Sequence, residues 1–238
     1  MDSVLRRLIN YLKISLIICT FFCFCPLDIN AQYYHENKDN VYVHKSTDEM
    51  KIALSFDDGP HPKKTCEILS VLKKHGIKAT FFVIGQNAEK HPEILQMIAA
   101  DGHEIANHTY DHKSIYKLDS GALINDVRHC SDVIEKITGK RPGLFRPPEG
   151  YMNDTIAHQI KGQGYNVILW RVDTYDWKGR SASDIFQSVT KSVKCGDIIL
   201  MHDYIWRKSN TSEAIDRLIP YLKGIGYEFL TVSELLYD

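Results

Sequence analysis

Lys51-Ile-Ala-Leu-Ser-Phe-Asp57-Asp58-Gly59-Pro60 is the stretch on which the reading of the fold turns. It opens as an apolar, partly β-branched run, the composition of a buried strand. It ends in two carboxylates followed by Gly-Pro, a strong strand stop. Side chains of adjacent extended residues point opposite ways, so Asp57 and Asp58 are expected to do different jobs. One would hold a metal or pair with a cation while the other faces a substrate. Taken alone, an Asp-Asp-Gly turn is accounted for by the turn chemistry of Asp and Gly, and the case for more rests on the rest of the chain.

Working outward, a helix is predicted over 63–75, with Ile68, Leu69 and Leu72 on one face and Gly76 just past its end. Strands are predicted over 79–84, 103–106, 143–145, 166–170, 197–201 and 228–230. Helices are predicted over 92–100 (with Pro92 in its first turn), 119–138, 153–162, 182–193 and 210–223, with a last short helix after 230. This alternation is the pattern of βα units with a parallel inner sheet. The fold class is therefore α/β, a distorted or incomplete (β/α) barrel of about seven parallel strands. An open doubly wound sheet is the alternative, but no glycine-rich phosphate loop follows the first strand.

With 238 residues and 44% hydrophobic content, one domain can bury a full core. The net charge of −1 and the lack of a basic block give no reason to expect nucleic acid. Arg6, Arg7 and Lys13 precede an apolar run of twelve residues, Ile14 to Cys25, and then Pro26 and the small-residue end Asn30-Ala31. This reads as a secretory signal cut after Ala31, the run being shorter than the ~20 residues of a spanning helix. The expected layout is a signal over 1–31, a polar linker over 32–49 and one domain over 50–238. The expected location is the periplasm, the cell envelope or the medium, without stable membrane association unless the signal is retained. Cys66, Cys130 and Cys195 remain after cleavage, an odd number with no CxxC, so neither a disulfide framework nor a zinc-cysteine site is indicated. A single disulfide among them stays open.

Polar residues fall where the predicted strands end. Asp57 and Asp58, His108 and His112, Arg146, Asp173 and His202 each follow a different strand. In a barrel those C-terminal ends converge on one face, where active sites are built. His108 and His112 lie four apart, a spacing that on one helical turn would put both imidazoles on one face. With a carboxylate from the first strand they make a two-histidine, one-carboxylate set with open positions. Such a set suits zinc hydrolysis or ferrous oxygen chemistry. The extra acid and base groups favour hydrolysis, which needs a proton acceptor for water and a donor for the leaving group.

Ser-Phe-Asp57-Asp58-Gly-Pro, His108-Thr-x-x-His112, Arg146-x-Pro148-x-Gly150, Asp173-x-x-Asp-Trp177 and Leu200-x-His202 resemble, in order and spacing, the five motifs of the polysaccharide deacetylases. This is the NodB homology domain, carbohydrate esterase family 4, and the resemblance covers roughly residues 50–236. It implies Asp58, His108 and His112 as ligands of a divalent metal, zinc first and cobalt or another ion as alternatives. It implies Asp57 as the general base toward water and His202 as the acid toward the departing amine. Arg146 would pair with Asp57 and keep it ionised, and Asp173 would orient and charge His202. The metal and the backbone N–H of residue 149 would stabilise the oxyanion. Pro148, Glu149, Gly150, Trp177 and Leu200 would line the substrate site, although a strand-borne leucine is ordinarily core.

Two positions depart from the family pattern. Glu149 stands where many members have tyrosine, and a carboxylate there is expected to alter substrate choice rather than catalysis. Cys195 precedes Gly196 in a turn where proline would be ordinary, a structural change. The expected activity is removal of N-acetyl groups from peptidoglycan, chitin-like chains or an exported polysaccharide. An O-acetyl esterase acting on xylan is one alternative and an inactive carbohydrate-binding module another, the latter predicting loss of a ligand or of the base. The loops 113–119, 149–153 and 174–182 carry Tyr116, Tyr151 and Tyr175 as candidate sugar-stacking residues.

Overall fold

A computed structural model describes residues 40–117 and 119–237. The predicted signal segment and most of the predicted linker lie outside the described residues. The central strand is β2 (Lys51–Asp57), buried at six of its seven positions. Burial on both faces explains why it reads as a continuous apolar run. Alternate side chains nevertheless part company. Ile52, Leu54 and Phe56 pack outward with Leu69, Leu72, Leu218 and Ile219 of the helices Lys64–His75 and Thr211–Gly224. Ala53 faces the interior, with Phe82, Ala106, Leu144, Ile168 and Ile198, over a floor made by Val232 and Leu235. Asp57 has the parity of Ala53 and Ser55, so the period of two carries it to the interior face.

Eight further strands complete the sheet: β1 (Val41–Tyr42), β3 (Thr80–Val83), β4 (Glu104–Asn107), β5 (Leu144–Phe145), β6 (Asn166–Ile168), β7 (Val172–Asp173), β8 (Ile198–His202) and β9 (Glu228–Leu230). Their order is β1-β6-β5-β4-β3-β2-β8-β7, with β9 pairing the lower part of β2. All pairings between named strands are parallel. The expected incomplete α/β barrel is what forms. β7 follows β6 after a three-residue corner, Leu169–Arg171, yet pairs with β8. The edges of the sheet are therefore β7 and β1, which pairs with β6, and the barrel stays open between them. Among the described residues no helix is long and apolar enough to cross a membrane.

Two sequence expectations need correction. The strand predicted over 166–170 stops at Ile168, where the chain turns the open corner of the barrel. The described part of the predicted linker belongs to the domain. Val41 and Tyr42 pair with Val167 and Ile168, His44 bridges Asp197, and the Lys45 amide donates to the Gly196 carbonyl at 2.8 Å. Val41 and Val43 are buried by this arm. Its polar composition hid a two-residue edge strand too short to show a period. Gly196 is required beneath it: φ is +78°, and a Cβ would lie 1.8 Å from the Lys45 carbonyl oxygen. A short helix, Gly85–Lys90, also escaped the sequence reading.

Candidate active site

The predicted residues gather on the rim where the strands end. Asp57 closes β2, and its carboxylate Oδ1 accepts from Arg146 Nη1 at 2.6 Å. Arg146 follows β5 and is wholly buried, its guanidinium 3.9 Å from the Phe82 ring centroid. Isolated burial of that charge would be prohibitive. Its remaining nitrogens donate to the Ile168 and Leu169 carbonyls at 3.1 and 3.2 Å, so each guanidinium nitrogen has an acceptor and the group that fixes Asp57 is itself held.

Asp58 lies one residue past the strand with φ 77°, in the left-handed region that asparagine and aspartate tolerate better than most residues. That turn brings its side chain back toward the site. Asp58 Oδ1 is 3.5 Å from His108 Nε2 and 3.3 Å from His112 Nε2. The three ligand atoms lie within 4.8 Å of one another, and Asp58 Oδ1 is buried without a hydrogen-bond donor. The histidines are not on a helix, as their spacing suggested. They sit on a loop with Thr109 and His112 at positive φ, and their ring centroids are 4.9 Å apart. Asn107 at the end of β4 holds that loop. Its amide donates to Val127 O and Ser131 Oγ at 2.7 and 2.8 Å, and its Oδ1 accepts from the Thr109 amide at 2.8 Å.

These donors fit a divalent cation. His108 Nδ1 is 2.8 Å from the Arg146 carbonyl, so it carries the proton and leaves the Nε2 lone pair for a metal. Burial and the neighbouring His108 hold the His112 pKa below its ordinary value, the neutral form a ligand needs. Burial also works to lower the His108 pKa, yet the Asp57 and Asp58 carboxylates outweigh it and raise it. That is the response of a site with surplus negative charge.

Across the rim, His202 ends β8 directly opposite Asp57 in the register. Its partner is Asp176, not Asp173 as expected. His202 Nδ1 meets Asp176 Oδ1 at 2.8 Å, and the His202 amide donates to Asp176 Oδ2 at 2.8 Å. Thr211 Oγ1 donates to the same Oδ2 at 2.8 Å. Asp173 Oδ1 is occupied by the Tyr175 amide at 2.7 Å, where it braces a turn with Tyr175 at φ 54°. The turn places the carboxylate three residues later against the imidazole. Burial alone would favour a neutral His202, but Asp176, helped by Asp58 and Asp57, raises its pKa to about 9. Asp173 is raised by burial.

Asp203 was also missed. Its Oδ1 accepts from the Gly59 amide at 2.8 Å and its Oδ2 from Thr65 Oγ1 at 2.6 Å, which locks the turn behind Asp58. A Cβ on Gly59 would run into that carboxylate. Burial raises Asp203 to about 7. Both omissions had a signal: Asp176 stands beside Trp177 within its motif, and Asp203 directly follows His202.

A cavity of ≈ 960 Å³ joins the parts, lined among others by Asp57, Asp58, His108, His112, Asp173 and His202. Of the predicted substrate-binding residues, Glu149, Gly150, Trp177 and Leu200 line it. Pro148 is buried, and Pro147 takes its place in the wall. Glu149 has φ 60° and accepts from Ser114 Oγ at 2.8 Å. Tyr175 also lines the cavity, whereas Tyr116 and Tyr151 pair with each other outside it, centroids 5.8 Å apart. Cys66, Cys130 and Cys195 are all free thiols.

The family model for polysaccharide deacetylase matches residues 44–168. A peptidoglycan-N-acetylglucosamine deacetylase of Bacillus cereus is 40% identical over 190 residues, covering 79% of this chain and 89% of the relative. The crystal structure of the Bc1960 peptidoglycan N-acetylglucosamine deacetylase superposes with a TM-score of 0.81 at 34% identity, over 83% of this chain and 92% of that one. A family 4 acetyl xylan esterase from Clostridium thermocellum, solved with a cobalt ion, gives 0.73 at 33% identity, over 78% and 89%.

Proposed function

This chain belongs to the polysaccharide deacetylase family and is a deacetylase of N-acetylated glycans; we propose that its substrate is peptidoglycan and that it works as a zinc-dependent hydrolase of the cell envelope. The observation that carries the mechanism is the pairing of two unlike groups across one rim. Asp57 is fixed by a buried arginine, and His202 is held protonated by a buried aspartate.

Asp58, His108 and His112 would hold the metal, a nitrogen- and oxygen-donor set that suits zinc. Bound there, the ion supplies Lewis-acid chemistry, acidifying water and polarising an acetyl carbonyl. Asp57 Oδ2 is 3.7 Å from His108 Nε2, so the carboxylate adjoins the ligand cluster without belonging to it, and it takes the proton of the attacking water. Arg146 is a positioning residue that keeps Oδ1 engaged and aims the other oxygen at the cavity. His202, with Nδ1 bound to Asp176, offers Nε2 as the donor to the departing sugar amine. An amine leaving group needs that proton more than an alcohol does, which favours N- over O-deacetylation. Trp177 and Leu200 enclose the acetyl methyl, and Gly150 and the Glu149 amide form the opposite lip. The described domain runs from Val41 to Tyr237, and a signal segment precedes it. The relatives named for peptidoglycan support the substrate.

The test is acetate release by the purified protein from peptidoglycan, N-acetylglucosamine oligomers and acetylated xylan, with zinc or cobalt. Release from the N-acetylated glycans that disappears in Asp57→Asn is expected. Release from xylan alone would move the protein to the O-esterases. Release from none, with metal bound, would reject the reading.

A further inference from the structure

Trp206 is 92% exposed, against 55% for Tyr116, the next most exposed large apolar residue described. An indole held in water is an apolar contact left unmade. It does not stand alone. Its ring lies 5.6 Å from that of Tyr204, and Tyr204 stacks on His61 with centroids 4.9 Å apart and planes 15° from parallel. Lys64 sits 5.3 Å over the Tyr204 ring and donates to the Ile205 carbonyl and, at 2.9 Å, to the Arg207 carbonyl. Ile205 is buried, pinning the loop from below. The rings are thus set by a braced loop before anything binds, which reduces the ordering cost of binding.

Both legs of this cluster grow out of the catalytic strands. His61 is four residues past the end of β2 and Tyr204 two past the end of β8, strands that pair side by side. Asp203 ties the two legs together through the Gly59 amide. At about 3.5 Å per residue, Tyr204 lies within roughly 7 Å of His202 and Trp206 within roughly 14 Å, backbone to backbone. None of the three rings lines the cavity, and they are within reach of a glycan strand that leaves it over the β2–β8 side of the rim. Three rings among Lys63, Lys64, Arg207 and Lys208 are far smaller than the ~800 Å² per partner of a protein interface. They match a pyranose, whose C–H face suits an aromatic ring while its hydroxyls stay in water.

We propose that His61, Tyr204 and Trp206 form a platform for a further sugar of the same glycan strand, outside the pocket that holds the reacting acetamido group. This rests on the deacetylase reading above. The test compares wild type, Trp206→Ala and Trp206→Phe on N-acetylglucosamine disaccharide and pentasaccharide. The ratio of kcat/KM for pentamer to that for dimer should fall about fivefold in the alanine variant and be largely kept by phenylalanine. Equal losses at both lengths, or none, would overturn the platform. Binding of the pentamer to metal-free protein, measured by calorimetry, gives a readout that needs no turnover. Affinity should fall severalfold in Trp206→Ala, and an unchanged affinity refutes the platform. Wild-type protein that binds the pentamer but hydrolyses nothing would reject the deacetylase reading instead.

Discussion

At the scale of single residues, Asp57 and Asp176 carry the sharpest expectations. Asp57→Asn keeps a partner for Arg146 but cannot accept a proton, so kcat should fall by about two to four orders of magnitude with the fold retained. Asp57→Ala should in addition destabilise the protein by about 3–5 kcal/mol, because it strands a wholly buried guanidinium. Circular dichroism melts of the two variants separate these effects. His202 is protonated below its pKa of about 9 and loses its proton as pH rises through that value, so activity that needs the acid is lost on the alkaline side. Asp176→Asn removes the main charge that raises it. The alkaline limb of kcat/KM should then move to lower pH, whereas Asp173→Asn should leave it nearer its original place. A cation in the triad draws the same limb down, so the profiles are compared at equal metal loading. Asp173 was the expected partner because the family resemblance implied that role for it. Which carboxylate of a four-residue turn meets an imidazole depends on turn dihedrals, here a positive φ at Tyr175.

Secondary-structure elements were legible where they are long and periodic. The helices Lys64–His75, Pro92–Ala100 and Ser120–Thr138 fall within a residue or so of the pattern that predicts them. Asp119 caps the last of these by accepting from the Ala122 amide at 2.9 Å, and Gly139 ends it at φ 74°. The two-residue strands β1 and β7 carry no readable period and owe their pairing to neighbours distant in sequence. The β1 arm is held over the Cys195-Gly196 turn, so Gly196→Ala should both strain a left-handed backbone and strike the Lys45 carbonyl. A loss of about 2 kcal/mol or more is expected, a fall in Tm of about 4–8 °C, read by calorimetry. An unchanged Tm would mean that the arm is not held there.

For the whole molecule, metal and fold are coupled, because the triad exists only when β2 and β4 are paired through β3. A cation that binds only the folded chain stabilises it by about 4 kcal/mol at a thousandfold excess over Kd. Zinc should therefore raise Tm in wild type and much less in His108→Ala, and a chelator should reverse the shift together with activity. The sequence by itself determined the alternation of strand and helix and the chain order of the chemical groups, and its family resemblance pointed to the three residues that gather as a candidate metal triad. The first two follow from local composition and from residues that stand at strand ends, where any parallel barrel collects them. The tertiary structure alone decided that β1 and β7 remain the open edges of the barrel, that residues 41–45 belong to it, and that Asp176 rather than Asp173 charges His202. Each of these is a contact between segments far apart in the chain or a dihedral set by packing, and neither is written in a local pattern.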